Sequence, residues 1–97
     1  MGEAEITVTQ ADSIRSQLIA AEHDLKTHRD HIAAHHLRAR ARREEAAETE
    51  HPGTRAELIR ASVVEVAKAD RAAVAASLAS ARIRALQAQL ETSGSLA

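Results

Sequence analysis

The chain has 97 residues, 13 basic against 14 acidic side chains, no cysteine and no Phe, Trp or Tyr. Near-neutral charge argues against general electrostatic binding to nucleic acid or an anionic membrane, and the lack of cysteine removes disulfides, thiolate metal sites and a cysteine nucleophile. Of the 43 hydrophobic residues 23 are Ala, so the chain can pack well only where backbones come close, as in Ala-rich helix pairs.

The N-terminus, MGEAEITVTQ, carries early acids and no apolar run, so no secretory signal is expected. Residues 1 to 9 are expected to be loose, although ITVT at 6 to 9 alternates like a strand. A first helix is expected over residues 10 to 50, with Thr9 or Asp12 as its N-cap. Its seam positions alternate steps of four and three: Ile14, Leu18, Ala21, Leu25, His28, Ile32, His35, Ala39, Arg42, Ala46. This is a heptad seam, strong in its first half and fading toward the middle of the chain.

Five of the six histidines lie in HDLKTHRDHIAAHH, residues 23 to 36. With the chain reversing near 52 and 53, residue i faces approximately residue 105 minus i. His35 then lies beside Asp70, and His28 beside Ser77 and Ser80. On this reading the imidazoles are polar seam residues that fix register. No metal centre or cofactor is expected. The second alternative function is a histidine-based metal-binding helical bundle, in which His28, His31 and His35, on one helical face at spacings of three and four, could chelate zinc, nickel or copper. Glu48 and His51 form ExxH, half of a di-iron bundle motif.

RARARREEAAETE, residues 38 to 50, turns from four Arg to four Glu, a solvated helix end laced by weak ion pairs. The only proline, Pro52, and its neighbour Gly53 mark the one strong break, a turn at 51 to 54 in which Gly53 permits positive φ. TRAE at 54 to 57 is a capping box, so a second helix is expected from Arg55 to Glu91, with Gly94 as its stop and 92 to 97 a loose tail. Its seam reads Ile59, Ser62, Val66, Ala69, Ala73, Ala76, Ser80, Ile83, Gln87, Leu90. Val63, Val64, Ala67, Val74, Leu78, Ala81 and Ala85 carry apolar surface beyond that stripe, and residues 72 to 81 have no charge. No stretch reaches the roughly 20 apolar residues of a membrane span.

The expected fold is all-α, a long antiparallel two-helix hairpin of coiled-coil type, completed to a bundle by oligomerisation or by partner helices. The interface residues nominated are Leu18, Leu25, Ile32, Val66, Ala69, Ala73, Ala76, Ile83 and Leu90, with His28, His35, Asp70 and Ser77 as register polar pairs. The function expected is a non-enzymatic structural or assembly module. Its partners are itself or helices of a larger assembly, with no nucleic acid and no membrane. Its place is the cytoplasm or an intracellularly assembled particle such as a virion.

ARIRALQAQL at 81 to 90 and ITVTQADSIRSQL at 6 to 18 resemble helix sequence in the N-terminal domain of Gre-type transcript-cleavage factors, though the family's tip motif is replaced. That resemblance implies a coiled coil presenting an acidic tip to RNA polymerase, with Glu44, Glu45, Glu48 and Glu50 as metal-coordinating carboxylates. The length and central turn are also similar to helical-hairpin secretion partners of the WXG type, whose Trp-Xaa-Gly turn is replaced by His51, Pro52 and Gly53.

Overall fold

A computed structural model of the chain describes residues 2–95, and within them the side chains of residues 9–92. It contains two α-helices that pack as an antiparallel hairpin, α1 (Gly2–Glu48) and α2 (Pro52–Ser95). There is no strand among the described residues, and ITVT is helical. Helix α1 starts before its expected limit and ends two residues short of it, while α2 exceeds its expected limits at both ends. Helix α1 is already formed at Gly2, and α2 runs through Gly94, which shows no left-handed geometry. Leu96 and Ala97, expected in a loose tail, lie outside the described residues, as does Met1.

The connection is residues 49–51, shorter and earlier than expected. Pro52 opens α2 as its first helical residue, where its fixed φ suits the helix and its missing N–H would have had no partner. His51 is therefore the N-cap. Its carbonyl accepts the first helical bond from the Arg55 amide at 3.0 Å, and its Nδ1 accepts from the Thr54 amide at 3.3 Å. Thr54, expected to be the cap, instead supplies the amide being capped. Gly53 does not adopt positive φ. Its role is room, because a Cβ there would stand 3.2 Å from His51 Cε1 and 3.4 Å from Nδ1.

The end of α1 is closed from both sides. The Thr49 amide donates to the Ala46 carbonyl at 3.3 Å and its hydroxyl to the Glu45 carbonyl at 2.8 Å. The Arg55 guanidinium donates to the Thr49 carbonyl through Nη2 at 2.6 Å and Nε at 3.1 Å. The last turn of α1 holds Glu rather than a basic residue, so Arg55 brings the positive charge that a helix C-terminus favours.

The hairpin divides into two compact units, Thr27–Ala75 around the turn and Met1–Lys26 with Ala76–Ala97. In the turn unit the seam is made of small residues. Ala39, Ala46, Ser62 and Ala69 are buried, and the Ser62 hydroxyl is satisfied by the Ile59 carbonyl at 2.6 Å. In the other unit Ile14, Ala21 and Leu86 form the core, with Leu18, Ile83 and Leu90 packed against it. Gln17 there accepts from Arg82 across the helices at 3.0 Å.

The α1 seam follows its heptad positions, with Arg42 alone exposed. On α2 the buried line is rotated. Ser62, Val66, Ala69, Ala76, Ser80, Ile83 and Leu90 of the expected line are buried or half-buried, but Ile59, Ala73 and Gln87 are exposed and their places are taken by Leu58, Ala72 and Leu86. Both lines share every second position. The rotation observed buries Leu86 instead of Gln87 and turns Glu65 toward α1.

Two outcomes test this arrangement. Replacing His51 with Ala should cost about 1 kcal/mol, the scale of a lost N-cap, in denaturant-induced unfolding followed by circular dichroism. Ala69→Leu should force the small-residue seam apart and destabilise by about 1–3 kcal/mol, whereas Ala73→Leu, on the exposed side, should leave the unfolding midpoint nearly unchanged.

Candidate functional site

Several ionisable residues singled out in the sequence have partners within the hairpin. His35 and Glu65 meet across the turn unit, both half-buried, with Nδ1 and Oε2 2.6 Å apart. A carboxylate only accepts, so Nδ1 carries the proton and donates it to Glu65. Arg38 lies 3.5 Å from the same Nδ1 and Lys68 lies 3.8 Å from the other Glu65 oxygen. This pair corrects the expected register. His35 does not meet Asp70, which is exposed, because a turn centred on residue 50 sets residue i against about residue 100 minus i. Ser77 is exposed as well, and position 28 comes level with Ala72.

The His31 and His35 rings stand edge to face with centroids 6.5 Å apart. Among the described residues no group of three or more His, Asp or Glu side chains converges as a metal site would require, His28, His31 and His35 included. The acidic stretch is likewise dispersed. Arg40 donates to Glu44 at 3.1 Å and Arg42 to Glu45 at 3.5 Å, while Glu48 and Glu50 are exposed. The Nδ1 of His51, half of the ExxH pair, is used to cap α2. An open groove of about 570 Å³ in the outer unit is lined by Gln10, Ser13, Ile14, Gln17, Ala88 and Gln89 together with Thr92, none of these described residues being ionisable.

What the fold leaves unabsorbed is apolar surface on α2. Of the nominated interface residues Ala69 is buried, and Leu18, Leu25, Ile32, Val66, Ala76, Ile83 and Leu90 are half-buried along the hairpin seam, but Ala73 is exposed. In the turn unit Ile59, Val63 (62% exposed), Ala67 and Val74 (61%) stand on the solvent side of α2. At about 100° per residue, Val74 is roughly 160° round the helix from the half-buried Ala72. These residues follow steps of four, four and seven, with Asp70 inside the last step. In the sequence the spacing continues at Leu78, Ala81 and Ala85 of the other unit. An 11-residue pattern of this kind stays on one side of a helix, while the buried line keeps a seven-residue repeat. Sequence reasoning found the extra apolar residues; that they form an outward stripe needed the observed rotation of α2. Ile19 and Leu37 are also exposed, each singly on α1.

Comparison with protein-family models, with curated proteins and with solved structures gives no match. No helix among the described residues is long and apolar enough to cross a membrane.

The His35–Glu65 pair makes stability depend on acid. The bond from His35 and the charges of Lys68, His35 and Arg38 hold the Glu65 carboxyl below its ordinary range, outweighing a smaller upward push from burial. A carboxyl lowered by folding contributes stability that is full above the ordinary glutamate range, about 4.3, and is lost as pH falls through the folded value. Glu65→Gln removes that titration, so its melting temperature should fall less than that of the unmodified chain between about pH 5 and pH 3.

Proposed function

We propose that this chain is a non-catalytic assembly module, a helical hairpin that docks on further helices through the outer face of α2. The observation that carries the reading is the exposure of Ile59, Val63, Ala67 and Val74 on one side of a helix whose other side is already packed. A helix with two apolar faces has one more than a hairpin can cover, and large exposed apolar residues in a row mark a protein contact. The non-catalytic part rests on the use already made of the ionisable groups. His35 and Glu65 bond each other, Glu44 and Glu45 answer arginines, and His51 caps a helix.

The test places a photo-crosslinking amino acid at Val63, in cells that make the protein naturally, and a second at the exposed Arg43 on α1. Discrete adducts from position 63 and none from position 43 are expected, whether the adduct is another copy or another protein. Val63→Glu with Val74→Glu should abolish them while helicity is retained. Adducts absent from position 63 overturn the proposal.

A further inference from the structure

We propose that the tip of the hairpin is an acid-sensitive latch: the His51 imidazole caps α2 only while it is neutral, so a proton taken up there opens the first turn of α2 and leaves the seam closed. Two hydrogen bonds fix the state of the ring. The Thr54 amide only donates, and it reaches His51 Nδ1 at 3.3 Å, so Nδ1 is the bare, accepting nitrogen. The Thr54 hydroxyl stands 3.4 Å from the same nitrogen, again as a donor. In the neutral ring the proton therefore sits on Nε2.

Protonation makes Nδ1 a donor facing another donor, and the cap is lost. The new charge also lies against the positive end of the helix dipole. The ring cannot add its proton at a distance from that turn, because Cε1 is only 3.2 Å from where a Cβ on Gly53 would stand. Nearby charges do not offset the change. His51 makes no ion pair among the described residues. Toward α1, Glu44 and Glu45 are paired with Arg40 and Arg42, and Glu48 and Glu50 are exposed, as is Glu57 of α2. Arg55, held on the Thr49 carbonyl at 2.6 Å, adds a cation to the connection. The unfolded chain takes up the same proton without losing a bond, so the stability of this turn falls as pH falls.

His35, in the same compact unit, responds in the opposite sense. Its Nδ1 donates to Glu65 at 2.6 Å, a role it keeps when a second proton enters at Nε2, and the added charge then faces a carboxylate. Its other neighbours are Arg38 and Lys68, both cations, and the ring of His31. The two histidines are thus set in opposite tautomers. Mild acid removes the bond at the turn and strengthens the one between the helices.

Nitrogen-15 spectra of the imidazole rings at about pH 8, which need no variant, should show the proton of His51 on Nε2 and that of His35 on Nδ1. Stability is then compared with His51→Asn, whose amide caps a helix without titrating. Every other histidine is common to the two chains, so the ratio of their unfolding constants isolates position 51. From about pH 8 to about pH 5 that ratio should move about fivefold or more against the unmodified chain, the scale of one lost cap. Over the same range hydrogen exchange, corrected for its intrinsic pH dependence, should show the Thr54 amide losing protection in the unmodified chain while the buried Ala69 amide keeps its own. A neutral His51 protonated on Nδ1 overturns the proposal, as does a ratio that stays constant with pH. Equal loss of protection at Thr54 and Ala69 overturns it too, since acid would then act on the whole unit rather than on its tip.

Discussion

The structure depends on how close two helix backbones can come when neither carries an aromatic side chain. Hydrophobic stabilisation scales with the apolar area withdrawn from water, and Ala contributes little of it by itself. Its value lies in letting neighbouring helices approach until backbone and Cβ atoms are in contact. Around the turn, Ala39, Ala46, Ser62 and Ala69 fill this role, and no larger side chain is fully buried anywhere among the described residues. A seam of that kind is narrow. It covers one side of each helix and leaves Val63 and Val74 in water.

The turn carries this constraint into the register. Because Pro52 serves as the first residue of α2 and His51 as its cap, only residues 49–51 separate the helices. A short connection admits few offsets between the helices it joins, and this one sets His35 against Glu65 and Gln17 against Arg82. His51, Gly53 and Arg55 together close both helix ends: one caps, one leaves space for the cap, and one supplies cation and donors to the α1 terminus. His35 and His51, which in isolation read as metal ligands, are thereby used to join the helices and to cap α2.

What remains uncommitted is informative. Ile59, Val63, Ala67 and Val74 of α2 stay exposed although the other side of the helix is packed, and the proposed docking rests on that surface. The inward positions of α2 follow a seven-residue repeat, while Ile59, Val63, Ala67 and Val74 of the turn unit are exposed on its other side.

Much of this fold is legible in the sequence. Helical periodicity, the break at Pro52 and Gly53, and the α1 seam from Ile14 to Ala46 follow from local spacing and from the backbone chemistry of proline. The five α2 positions common to both possible heptad lines, Ser62, Ala69, Ala76, Ile83 and Leu90, follow in the same way. The choice between the two lines does not, because Leu58 or Ile59, Ala72 or Ala73 are equally apolar neighbours on the wheel. Only the packing of α2 on α1 decides it, through Leu86 entering the core in place of Gln87 and Glu65 reaching His35. The same packing moved the partner of His35 from Asp70 to Glu65, since a turn three residues long shifts every facing pair at once.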